Sequence, residues 1–233
     1  MHLRSCEEIR LPSISSGCSE YCGEQIQLSK VTSWGLIIGG LWFVLGFMIV
    51  GISLGLADDK TPAEELKIAQ ENTAFLALFG ILFAAVFAYL AKSILQVAEA
   101  VKVSDEWFMY ARILLITMLA LLLANLAMFM LIPEETTVES FTAMDHISQS
   151  LSNMTNVLSG LVFLIIAGFV LKNGAGNMIF KVLIAILALL AIVDFIGLLD
   201  VIDLDDGIGF VTWILRGPSR LGIGVLGLTT KEA

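Results

Sequence analysis

Five long stretches of this chain are almost free of ionisable side chains, and short charged connectors separate them. Val31–Ala57, Asn72–Ala91, Ile113–Pro133 and Ile147–Leu171 contain no Asp, Glu, Lys, Arg or His, and Val182–Leu199 contains only Asp194. A helix needs about 20 mainly apolar residues to cross the hydrocarbon core of a bilayer. Runs of this length fit membrane spans better than the shorter buried helices of a water-soluble domain. The expected fold class is therefore all-α, a polytopic integral membrane helix bundle of five transmembrane helices. The spans are placed near residues 33–57, 72–95, 110–132, 155–172 and 179–200, after a polar leader at residues 1–30. Residues 203–233 are expected to form an acidic turn and then a broken, interfacial or re-entrant segment.

Composition supports that solvent assignment independently, since 58% hydrophobic residues and a mean hydropathy of +0.90 exceed what a soluble domain of 233 residues usually carries. The net charge of -9 and the lack of a Lys/Arg cluster argue against a nucleic-acid partner. The leader has no apolar core of signal-peptide type, so the first span is expected to act as an uncleaved anchor. The partners this composition implies are the lipid bilayer and either other membrane subunits or further copies of the chain.

Orientation follows from where Lys and Arg fall, because these residues are held on the cytoplasmic side. Arg4, Arg10, Lys30, Lys92, Lys102, Arg112, Lys172 and Lys181 occupy the leader and alternate connectors. The opposite connectors hold only Lys60 and Lys67, among many acids. Eight cations against two place the N-terminus in the cytoplasm. Trp34, Trp107, Phe108 and Tyr110 stand at span starts, where amphipathic rings favour the headgroup layer. The connector before the fourth span is expected to hold a short interfacial helix near Ser140–Ser150, and Asn153-Met-Thr155 matches a glycosylation acceptor.

Water expulsion does not draw helices together inside lipid, so close backbone approach and interhelical hydrogen bonds have to do so. Gly35-x-x-x-Gly39 and Gly51-x-x-x-Gly55 make the first span the richest in small residues, suited to packing within the chain or to homodimerisation through the Gly35 face.

Polar groups within spans are costly and carry the candidate chemistry. Asp194 lies 13 residues beyond Lys181, and Asn125 lies 13 residues beyond Arg112, so both reach about 20 Å along their helices. At matching depth they would meet, either as a structural clasp or as a proton or cation site. Asp200, Asp203, Asp205 and Asp206 form an acidic rim outside the fifth span, but aligning Gly207 with the glycine of a calcium loop puts Ile202, Leu204 and Trp213 at ligand positions. Arg216 and Arg220 are expected to neutralise that rim or to meet lipid headgroups.

Cys6, Cys18, Cys22 and His2 share the leader without the paired spacing of a familiar zinc site, and neither His2 nor His146 stands inside a span to ligate haem. No metal or cofactor is expected. Nucleophile elbow, phosphate-binding loop, dinucleotide fingerprint and zincin motifs are all missing from the sequence, so no enzymatic activity is expected. The expected role is that of a structural or accessory subunit of a membrane complex. The alternative is a small cation or proton channel or transporter built on Asp194 and Asn125.

Overall fold

A computed structural model describes residues 26–54, 60–130, 132–199 and 206–229. Seven α-helices and no strand occur among the described residues: α1 (Lys30–Ser53), α2 (Pro62–Glu71), α3 (Thr73–Ala100), α4 (Asp105–Met130), α5 (Val138–Asn173), α6 (Met178–Leu198) and α7 (Asp206–Thr229). Five of them, α1, α3, α4, α5 and α6, are long and apolar enough to cross a membrane. The chain is an all-α membrane helix bundle.

Local chemistry sets the helix ends. Ser29, Thr137 and Asn177 each accept a backbone amide from the first turn of α1, α5 and α6, which satisfies one of the donors that every helix N-terminus leaves open. Gly174 ends α5 in the left-handed region at φ 63°, and Gly176 follows at φ 82° in the short turn to α6. Lys102 takes φ 57° between α3 and α4, where the Asn173 side chain donates to the Val101 carbonyl at 2.8 Å and ties the end of α5 to that turn.

The six long helices close into a ring. α1 packs on α3, α3 on α4, α4 on α5, α5 on α6, α6 on α7, and α7 returns to α1. Leu36, Leu90, Ile94, Leu115, Val162, Ile166, Ile184 and Ile223 fill the interior and are almost wholly buried. On α3, Phe75, Phe79, Phe83 and Phe87 recur every fourth residue, and their rings form a stacked and tilted ladder down one face. The outer faces of the ring remain apolar and exposed, as at Ile52, Leu78, Ile81, Leu171 and Leu189. That inversion of the soluble pattern is what a lipid-facing surface requires.

The structure departs from the sequence expectation in three places. Residues 207–228 form one unbroken helix. α7 runs through Pro218 from Asp206 to Thr229, and its glycines meet α1 in reverse order: Gly217 against Val44 and Gly40, Gly224 against Ile37 and Ser33, Gly227 against Ser33 and Leu28. α7 has 24 residues, as many as α1, and lies antiparallel to it. Gly217, Gly224 and Gly227 admit the helix close beside α1 despite Pro218.

The second departure is α5, where the expected interfacial helix and the fourth span are one rod of 36 residues, about 54 Å long. That exceeds a hydrocarbon core of about 30 Å, and its first turn packs through Phe141 edge-to-face on Phe129 of α4. Thr155 is buried in the middle of this rod, donating to the Leu151 carbonyl, so the Asn153 triplet lies within a helix rather than a loop. Third, the acidic connector after α1 contains a separate helix, α2. The Glu64 carboxylate accepts from both the amide and the hydroxyl of Thr61 at 2.8 Å, and Pro62 occupies the first turn. Leu66 and Ala69 of α2 pack with Ile132 and Phe141 in a small second core beside the start of α5.

Candidate functional site: a buried ion pair and a central arginine

Two backbone contacts bring α7 into the ring. A Cβ placed on Gly40 would stand 2.6 Å from the Gly217 carbonyl oxygen, and one on Gly224 would stand 2.6 Å from that of Ser33. With no side chain between them, the two helices approach backbone to backbone. Successive residues of a helix project about 100° apart, and α1 uses this at one pair. Gly39 faces Leu90 of α3, while Gly40 faces α7. Gly35 lies directly against the Ser93 hydroxyl and Tyr89 of α3. The Gly35 face is therefore occupied inside the chain by α3. Gly51 meets open space, and Gly55 lies outside the described residues.

Once α7 is in place, its polar residues point inward. Arg216 and Arg220 are four residues apart and so share one face of the helix. Both are more than nine-tenths buried, at 4% and 3% exposure. Arg216 Nη2 donates to Asp194 Oδ2 of α6 in a direct ion pair. Arg220 stands in the interior of the ring, with its guanidinium carbon 5.0 Å from the Phe43 ring centroid of α1 and 5.7 Å from that of Phe163 of α5. These are cation–π distances. Its Nε and Nη1 have no hydrogen-bond partner among the described residues.

Asp194 thus meets Arg216 and not Asn125, which corrects the expected pairing. Depth was matched, but position around the ring was not. α5 packs against both α4 and α6 and stands between them. Asn125 turns to α5 instead, where its amide donates to Ser152 Oγ at 2.9 Å and, at 3.5 Å, to the Ser148 carbonyl. The arginines face Asp194 and the aromatic interior. Asp206 opens α7, while Asp200, Asp203 and Asp205 lie outside the described residues, as do Cys6, Cys18, Cys22 and His2.

Sequence reasoning singled out Asp194 and passed over its partner. The available signal was charge balance. A lone acid in one span and two arginines at helical spacing in the next apolar stretch have few ways to enter lipid except together. A further polar seam joins α1 to α3, where Thr32 Oγ1 donates to Gln96 Oε1 at 2.8 Å and Tyr89 Oη to the Val31 carbonyl at 2.6 Å. Among the described residues, no group of three or more His, Cys, Asp or Glu side chains is placed to hold a metal ion. No protein-family model, curated protein or solved structure matches the chain.

Proposed function

We propose that this chain is a non-catalytic integral membrane protein that serves as a structural or accessory subunit of a membrane complex, with its N-terminus in the cytoplasm. The observation that carries the reading is the Asp194–Arg216 pair. The one acid within the apolar stretch of α6 is bonded to a neighbouring helix, where it clasps α6 to α7. A proton or cation site needs a carboxylate that exchanges its partner with water, and a relay usually chains several titratable groups. Asn125, the other group a transport path would recruit, is engaged by Ser152 on a different seam of the ring. Exposed apolar side chains cover the outer faces of α1, α3, α4 and α6, and these are the surfaces on which other membrane helices would pack.

The orientation rests on the cations. Lys30, Lys102, Lys172 and Lys181 all stand at the end of the bundle where α1 begins, as the cytoplasmic preference of Lys and Arg requires. With α7 antiparallel beside α1, Thr229 lies at that same end.

Reconstitution tests the role. Asp194→Asn, and a paired Asp194→Leu/Arg216→Met variant that removes both charges together, are each compared with the unaltered chain in liposomes. Under the subunit reading, ion flux is at background for all three, and gentle extraction recovers the unaltered chain with a constant set of companion subunits. Flux through the unaltered chain that collapses in a folded Asp194→Asn variant would establish transport in its place.

A further inference from the structure

α4 and α5 part at one end. Between them opens a groove of about 960 Å³ lined by Trp107, Tyr110, Leu114, Leu161, Gly168 and Phe169, with Glu106 and Lys172 at its mouth. A Cβ added at Gly168 would have no neighbour within 4 Å. Elsewhere in the ring, glycines such as Gly40 and Gly160 are filled to contact by the neighbouring helix. Here the space is left open.

We propose that this groove binds one phospholipid with a zwitterionic, ammonium-bearing headgroup, taken from the leaflet at the α1-start end of the bundle. Length selects a lipid over a helix. The α5 wall runs from Leu161 to Lys172, about 16 Å at 1.5 Å per residue, or half of a hydrocarbon core of about 30 Å. A crossing helix from a second copy would need a groove through the full thickness, whereas an acyl chain needs one leaflet.

The mouth selects the headgroup. One cation and one carboxylate stand there together, a pairing that complements a phosphate and an ammonium. Clusters of basic residues, by contrast, mark sites for anionic lipids. The Lys172 ammonium lies 5.5 Å from the Phe169 centroid, at the boundary between apolar wall and polar layer, ready to meet a phosphate. Trp107 and Tyr110, with ring centroids 5.8 Å apart and planes tilted by 54°, follow Glu106 in sequence and line the same opening. Aromatic faces beside a carboxylate suit an alkylammonium group.

The full chain, placed in nanodiscs holding equal amounts of phosphatidylcholine, phosphatidylethanolamine and phosphatidylglycerol, is released and weighed by native mass spectrometry. One phosphatidylcholine or phosphatidylethanolamine should be retained per chain in preference to phosphatidylglycerol. The choline and ethanolamine arms rank the aromatic against the hydrogen-bonding contribution. Gly168→Leu fills the groove and should lower retention by about tenfold or more. Exposed Lys172→Glu leaves the core untouched and should lower the zwitterionic preference by about two- to fivefold, the size of a surface ion pair. Equal retention of all three lipids, or retention that Lys172→Glu leaves unaltered, overturns the proposal even where Gly168→Leu does not fold. So does a mass corresponding to two chains that Gly168→Leu converts to one.

Discussion

The α1–α7 seam and the α4–α5 seam are both antiparallel pairs of long helices in the same ring, yet they are closed by opposite means. Along α1–α7, Gly40, Gly217 and Gly224 press against opposing backbone, and the neighbouring residues Arg216 and Arg220 turn charge into the interior. Along α4–α5 the half around Asn125 is bonded to Ser152, while the half around Gly168 stands open. A glycine therefore has no single meaning in this bundle. Opposite backbone it sets helix separation, and opposite nothing it preserves a groove.

The comparison breaks most severely at the ion pair. Removing one member of a buried pair leaves the other charge without compensation and costs about 3–5 kcal/mol, whereas replacing both with apolar residues of similar volume is near neutral. Asp194→Ala and Arg216→Ala should each destabilise the α6–α7 contact by that amount, and Asp194→Leu/Arg216→Met should recover most of it. Reversible unfolding in mixed micelles measures all three. Single variants within about 1 kcal/mol of the unaltered chain would show that the pair does not hold α7 in place. Arg220→Met sharpens the contrast: with Nε and Nη1 lacking partners among the described residues, it should cost far less than Arg216→Ala.

Packing comes next. Gly40→Val adds branches where a first carbon would already stand 2.6 Å from backbone, and overpacking of this kind costs about 1–3 kcal/mol. Gly51→Ala and Gly168→Ala meet open space. Both should be neutral or stabilising, by up to about 1 kcal/mol from helix propensity. The same unfolding assay ranks the three, and equal effects at Gly40 and Gly168 would remove the distinction between the seams. Smaller again is Asn125→Ala, because hydrogen bonds between membrane helices average about 0.6 kcal/mol. A loss above about 2 kcal/mol would give Asn125 a partner beyond Ser152 and Ser148.

Much of this architecture was legible in the residues themselves, and the part that was not has a definite physical form. Hydropathy runs report how far a segment extends into lipid, so the cores of α1, α3, α4, α5 and α6 could be read directly. They carry no information about position around a ring, which is why Asn125 and Asp194 were placed at one depth and expected to touch. The sixth long helix was hidden by the cost of two arginines, a cost that applies to charges facing lipid and not to charges that meet Asp194, Phe43 and Phe163 inside. α2 was within reach of local rules, since Thr61-Pro62-Ala63-Glu64 is a capping sequence.

The gentlest perturbation acts on that small helix. Glu64 is fully exposed, and the Thr61 amide and hydroxyl that donate to its carboxylate hold its pKa below the ordinary value of 4.5, with Lys60 nearby adding in the same direction. A group whose folded pKa is depressed contributes stability above its unfolded pKa and loses it as pH falls through the folded one. Protection of the first α2 amides against hydrogen exchange should therefore be constant at neutral pH and decline as the medium is acidified below the ordinary Glu range. The Asn125–Ser152 bond, which contains no ionisable side chain, should hold. Glu64→Gln keeps an acceptor but cannot titrate, so it should flatten the acid limb while lowering protection at neutral pH. If α2 and the Asn125–Ser152 contact instead loosen together on acidification, α2 is not an independently capped element and its acid response belongs to the ring as a whole.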